Sequence, residues 1–223
     1  MKAALINGSP KIIMQKADPC ASHALLQSAK RYMRRSHIHD LEEFHIKTPV
    51  LTETEMAELM TCDIWLFSFP LYTGGIPSHL LRFLMNMQTY AENWKKSGKC
   101  REGGEKIYVY AIVNCGLYEG SETRPAMEMM EHWCDESGFV WGSGLGVGGG
   151  ITYANPHVFS FALRKWHSLG RAMTSFGMAI GGTMSAGNFY CSPDISKKAY
   201  IISINRFLKK WQKEATAATV RSI

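Results

Sequence analysis

Short apolar runs rich in β-branched and aromatic residues alternate along the chain with longer amphipathic stretches, the pattern of strands interleaved with helices. Lys2 to Asn7 reads as a first strand. Ser22 to Arg35, with Ala24, Leu25, Ala29, Tyr32 and Met33 at helical spacing, reads as a first helix. Ser36 to Leu41 alternates as a second strand would. Thr52 to Met60 predicts a short helix, because Thr52-Glu53-Thr54-Glu55 supplies the hydroxyls and acids that suit a helix start. Asp63 to Phe69 is nearly continuous in apolar residues and predicts a strand buried on both faces. Ser78 to Met87 follows Pro77 as a helix, and the polar stretch Glu92 to Glu105 reads as a surface connection. Lys106 to Val113 is a fourth strand, Glu122 to Glu136 a helix, and Phe139 to Val147 the last strand. Two further helical patterns, about Val158 to Met178 and Ser196 to Glu214, are joined by a loop from Gly181 to Gly187.

Five strands among helices predict an α/β fold: a three-layer, doubly wound, five-stranded parallel sheet with extra C-terminal helices. One domain covers 1–223, with 1–150 as the core and 151–223 as a helical part. Ligands of such sheets bind beyond the carboxyl ends of the strands, which singles out three loops. The first strand ends in Asn7-Gly8-Ser9-Pro10-Lys11, and the first helix opens near Ser22-His23-Ala24. A glycine-and-hydroxyl turn feeding a helix start aims free N–H groups and the positive end of the dipole at an anion. A plain turn followed by an N-cap serine explains the same residues. The third strand ends in Pro70-Leu71-Tyr72-Thr73-Gly74-Gly75, where Tyr72 can lie beside a planar heterocycle. The fourth ends in Asn114-Cys115-Gly116-Leu117-Tyr118. Cys115 has no histidine near it in sequence, so it is assigned a lining role and not a nucleophilic one. Gly144, Gly146 and Gly149 match G-x-G-x-x-G, yet neither a helix nor an acid at the right distance follows, so a dinucleotide fingerprint is rejected.

Composition narrows the class. With 46% hydrophobic and 20% charged residues, the 223-residue chain has the make-up of an ordinary globular domain. No apolar run reaches the ~18–20 residues of a membrane span, and the apolar start is too short for a signal sequence, so a cytoplasmic protein without a membrane partner is expected. Six scattered cysteines with no C-x-x-C, and eight histidines with no H-x-x-x-H, argue for free thiols and no metal site. The net charge of +6 is spread over pairs such as Arg34-Arg35 and Lys197-Lys198. That speaks for solvated helix faces and against nucleic acid, while still favouring anionic small molecules.

Taken together, GSPK after the first strand, Ser22-x-x-Leu25-Leu26, PLYTGGIPSHLLRFL from Pro70 to Leu84 and NCGLYEG from Asn114 to Gly120 resemble the flavodoxin-like superfamily. The branch resembled is that of the NADPH-dependent FMN reductases and NAD(P)H quinone reductases. The resemblance covers Met1 to about Val147, and P-L-Y-x-x-x-x-P-x-x-L-x-x-F is its most specific part. It implies strand order 2-1-3-4-5 and FMN as cofactor. Ser9, Lys11, Ser22, His23 and Ala24 would hold the phosphate. Pro70, Leu71, Tyr72, Thr73, Gly74, Asn114, Cys115, Gly116 and Tyr118 would flank the flavin. It further implies NAD(P)H as donor and a small-molecule electron acceptor such as a quinone, a free flavin, or an azo or nitro compound. No side chain is assigned a catalytic role, since the flavin carries the chemistry. Two departures stand out: the first loop is stretched by Ile12 to Ala21, and the cysteine cluster of the iron–sulfur members is missing. An electron-carrier flavodoxin is the main alternative; such carriers are expected to be acidic, and this chain is basic. A flavin-free regulatory or nucleic-acid-binding protein is a third. The final pattern, Ile201-Ile202, Ile204, Phe207-Leu208 and Trp211 opposite Lys209-Lys210 and Lys213, fits a helix packed on its own sheet. It also fits one that, with Met173 to Met184, meets a second subunit; a homodimer is expected.

Overall fold

In the computed structural model, which describes residues 1–11, 20–46, 51–98 and 106–220, the strand at the N-terminus sits inside the sheet. β1 (Lys2–Asn7) is flanked by β2 (Asp40–His45) and β3 (Ile64–Pro70), followed outward by β4 (Tyr108–Asn114), β5 (Val140–Val147) and β6 (Phe189–Cys191). Every pairing is parallel, so the order is 2-1-3-4-5-6. The sequence predicts five strands. The sixth escapes it because three residues, FYC, carry too little periodicity to stand out from a loop.

α1 (Ala21–Arg35), α5 (Pro156–Ala162) and α6 (Ser168–Gly181) cover one face of the sheet, and α2 (Glu53–Thr61), α3 (Ser78–Lys96) and α4 (Arg124–Ser137) the other. Each face has its own apolar core. On the α2–α4 side Trp65, Phe67 and Trp133 meet ring to ring, and the indoles of Trp65 and Trp133 donate to the Leu59 and Leu84 carbonyls at 2.8 and 2.9 Å. Those donations satisfy polar atoms that burial would otherwise penalise. On the other side Leu25, Leu26, Met33, Met173 and Phe176 close over β1, β3 and β4.

Three boundaries differ from the sequence reading. Of the strand expected over Ser36 to Leu41 only Asp40 and Leu41 are strand: Ser36 and Ile38 bond back to Met33, His37 adopts a left-handed φ of 61°, and β2 starts at Asp40. As an edge strand β2 needs little apolar surface, and only Phe44 is buried in it. α3 runs on to Lys96 because Met87 and Ala91 keep one side in the core while the polar side faces water; the rest of that predicted connection, 99–105, lies outside the described residues. The single helix expected from Val158 to Met178 is two. Asn155 caps α5, accepting from the N–H groups of His157 and Val158, and a turn separates it from α6. At Gly170 a Cβ would come within 2.1 Å of the Arg164 carbonyl, so only glycine lets that turn close over the helix.

The glycines of β5 serve close packing. A Cβ at Gly142 would strike the Tyr110 ring at 2.4 Å, and one at Gly146 would strike Thr123 Oγ1 at 2.3 Å. The fingerprint match is therefore a strand approached closely from both sides, as its rejection anticipated.

α7 (Lys197–Val220) does not pack on the sheet. Tyr200 in its first turn is buried, while Ile201, Ile202, Phe207 and Leu208 are exposed and contact with other elements is marginal. Met173, Phe176, Ala179 and Ile180, by contrast, are in the protein's own core, leaving Met178 and Met184 of that segment outside.

Candidate functional site at the carboxyl edge of the sheet

The carboxyl ends of β1, β3 and β4 lie side by side, with Asn7 in register with Ser68 and Pro70 with Asn114. Buried polar side chains join them. The Asn114 amide donates to Ser22 Oγ at 2.7 Å and to the Phe69 carbonyl at 3.2 Å. The Ser68 hydroxyl donates to the Ser22 carbonyl at 2.8 Å. Asn7 Oδ1 accepts from the Ser9 N–H at 3.0 Å, and Ser9 Oγ from the Lys11 N–H at 3.3 Å. His79, in the first turn of α3, places Nε2 3.1 Å from the Gly8 carbonyl. Burial makes such groups hold their partners, so the start of α1 is fixed against the ends of β3 and β4.

Donors remain at this junction. Cys20 occupies the N-cap of α1 and gives no side-chain cap, which displaces the N-cap serine suggested by the sequence; Ser22 lies inside the helix. The first intrahelical bond is from Ala24 to the Cys20 carbonyl at 3.1 Å. The N–H groups of Ala21, Ser22 and His23 thus emerge at the helix start, and no acid in the first turn offsets their positive dipole end. Ser22 Oγ, already an acceptor, keeps its proton to donate. Asn7 Nδ2 is buried and has no partner among the described residues. Ala24 has no N–H left, and the His23 ring lies toward β2, 6.4 Å from that of His45, so His23 contributes through its backbone. Most of the stretched first loop, 12–19, lies outside the described residues.

After β3, Leu71 donates its N–H to the Asn114 carbonyl at 2.7 Å, and a tight hairpin follows. Tyr72 and Gly75 exchange backbone bonds of 3.0 and 2.9 Å across Thr73 (φ 50°) and Gly74 (φ 79°), the two-residue turn that demands left-handed backbone at both positions. Tyr72 presents an exposed ring there.

The loop after β4 is held from an unexpected direction. The Tyr200 hydroxyl donates to the Gly116 carbonyl at 2.7 Å, and the Tyr118 hydroxyl to the Ile195 carbonyl at 2.6 Å, their rings 5.6 Å apart. Lys197 pairs with Glu119 at 3.0 Å. Nothing local in NCGLYEG announces partners some eighty positions away. Cys115 is buried, its thiol turned to the Leu117 and Glu119 carbonyls, and burial pushes its pKa up. It stays protonated at neutral pH and packs within its own loop.

Ser9, Ser22, Pro70, Leu71, Asn114 and Cys115 therefore converge; Tyr72, Thr73 and Gly74 form a projecting hairpin beside them; Gly116 and Tyr118 are secured by the C-terminal segment. Cys20, Cys62, Cys115, Cys134 and Cys191 are free thiols, and Cys100 lies outside the described residues. Among the described residues no cluster of three metal-ligating side chains occurs, and no helix is long and apolar enough to cross a membrane.

Among solved structures the chain is similar to an FMN-dependent NADH-azoreductase from Bacillus anthracis str. Ames Ancestor in complex with FMN. The TM-score is 0.55 at 14% identity, over 83% of this chain and 100% of that one. It is likewise similar to an NAD(P)H:quinone oxidoreductase from Methanothermobacter marburgensis, with TM-score 0.54 and 13% identity over 80% and 95% of the two chains. The fold is flavodoxin-like. A flavodoxin of Streptococcus pneumonia TIGR4 gives a TM-score of 0.50 at 10% identity, over 82% and 99%. No protein-family model matches the sequence, and no curated protein matches it significantly. At such identities the likeness is one of fold, and the flavodoxin-like sheet extends here by β6.

Proposed function

We propose that the chain binds FMN at this edge and uses it to pass reducing equivalents from NAD(P)H to a small acceptor such as a quinone, a flavin or an azo compound. The observation that carries the reading is the set of donors at the β1–α1 junction that have no partner among the described residues: three helix-start N–H groups, the Ser22 proton and Asn7 Nδ2. A terminal phosphate monoester suits them, since it brings several acceptor oxygens and up to two negative charges to one helix start. The flavin, when bound, supplies the hydride and electron chemistry. The chain's own work is holding and orienting. Asn114 holds the Ser22 hydroxyl that would meet the phosphate, the Thr73–Gly74 turn would offer Tyr72 as an aromatic wall, and Tyr200 holds the Gly116 backbone of the β4 loop. The basic net charge sits poorly with a carrier that docks on basic partners. Rapid mixing of the FMN-loaded protein with NADPH, with and without quinone, tests the activity. Bleaching of the flavin by NADPH and its return on adding quinone are expected; no bleaching by either NADPH or NADH would overturn the reductase reading.

A further inference from the structure

α7 is a basic amphipathic helix that the body leaves uncovered. Its sequence, KKAYIISINRFLKKWQKEATAATV, carries Lys197, Lys198, Arg206, Lys209, Lys210 and Lys213 against the single acid Glu214, and so holds most of the chain's excess positive charge. Ile201, Ile204 and Leu208 recur at helical spacing with Phe207 beside them, while Lys198, Arg206 and Lys209 fall on the opposite side. Ile201, Phe207 and Leu208 are each more than two-fifths exposed, so nothing among the described residues covers that face.

A second element of the same character stands at its root. The Asp194 carboxylate accepts from the Ser168 N–H at 3.0 Å and meets His167 Nδ1 at 3.1 Å, holding the approach to α7 against the turn between α5 and α6. Phe161 at the end of α5 and Trp166 in that turn are exposed, with the Arg164 guanidinium within 6 Å of both rings. Aromatic and aliphatic side chains set among cations, in two adjoining elements, match the chemistry of a phospholipid surface. Anionic head groups neutralise the basic side while the apolar side chains reach the acyl boundary.

We infer that α7, with the Phe161–Trp166 turn at its root, docks the protein on anionic lipid bilayers. Charge complementarity decides for lipid over a second copy of the chain, because anionic head groups supply the counter-charge that Lys198, Arg206 and Lys209 lack, whereas a second α7 packed on the same apolar stripe would bring only more cations. The contact lies along the surface and differs from a membrane span, which no helix among the described residues could provide. The sequence reading expects no membrane partner because it weighs only spans and signal segments, and a helix lying along the surface needs neither. The inference does not depend on which cofactor the carboxyl edge takes.

Cosedimentation with vesicles tests it. The full chain is expected to bind vesicles of phosphatidylcholine with roughly one-third phosphatidylserine, to bind pure phosphatidylcholine about tenfold or more weakly, and to be released by salt. Phe207→Glu with Leu208→Glu should abolish binding, and Arg206→Gln with Lys209→Gln should weaken it about tenfold. Thermal melting and flavin absorbance of both variants should match the parent. The second pair leaves the apolar face intact, so it still reports if the first fails to fold. Equal binding to both vesicle types, or binding unchanged in the charge variant, would overturn the inference. So would a dimer by light scattering that the apolar variant converts to monomer without any vesicle binding by the parent, since a second copy would then be what covers the helix.

Discussion

α6 and α7 are both amphipathic helices of the C-terminal part, yet one is built into the protein and the other is not. α6 sets Leu169, Met173, Phe176 and Ile180 into the core beneath α1. It approaches α1 closely because Gly177 and Gly181 carry no side chain: a Cβ would lie 2.9 Å from Tyr32 Cβ and 2.5 Å from Ser36 Oγ. Its one charged residue is Arg171, and its start is capped from outside by Asp194. α7 has comparable apolar residues but six basic ones and no glycine, so it has neither the closeness nor the neutrality that nesting against α1 uses. An apolar stripe says that a helix has a face to cover. Small residues and charge decide what covers it.

The sharpest way to break that comparison is to delete one large ring from each helix. Phe176→Ala should cost about 3–5 kcal/mol of stability, as buried aromatic truncations do. Phe207→Ala should cost under about 0.5 kcal/mol, as exposed changes do. Urea denaturation of both variants measures the pair; similar losses would mean that α7 is packed after all. Gly177→Val should cost about 1–3 kcal/mol by overpacking against Tyr32. A neutral result there would show that α6 can retreat from α1 and that closeness is not what holds it.

The candidate site divides along the same line, since its β1–α1 end belongs to the sheet and its β4 loop is tied to the C-terminal segment. Ser22→Ala is expected to weaken FMN binding by about 1–2 kcal/mol, the worth of a hydrogen bond to a charged group. Fluorescence titration reads it directly, and unchanged affinity would place the phosphate elsewhere. Tyr200→Phe removes only the bond to the Gly116 carbonyl, so a smaller loss of about 0.5–1 kcal/mol in FMN affinity is expected. Smallest of all, Cys115→Ala should leave turnover within about threefold, because a protonated, buried thiol contributes packing and no chemistry. A loss of several hundredfold would reinstate it as a reacting group.

What the sequence made legible follows from range. Buried strands such as Ile64–Pro70 and the capping box of α2, Thr52 with Glu55, announce themselves within a few residues. The three loops were found because each follows such a strand. β2 was misplaced because an edge strand of polar residues looks no more strand-like than the helix end before it. β6 and the split of α5 from α6 depend on Asn188 and Asp194 meeting partners 44 and 26 positions away, contacts that no window contains. At the site, Ser22 was legible as a polar residue at a helix start, but its partner Asn114 lies 92 positions away. Asn7, Ser68 and Tyr200 have no local mark of function at all.

The central claim is that a monophosphate flavin belongs at the start of α1, and equilibrium titration of the flavin-free protein with FMN and with FAD tests it most directly. FMN is expected to bind at one site per chain and about tenfold or more tightly than FAD, because the proposed site offers the start of α1, with no acid in its first turn, to a terminal phosphate that FAD lacks. Ser22→Ala should lower FMN affinity while leaving that for FAD nearly unchanged. Tighter binding of FAD, or no binding of either flavin, would contradict the account.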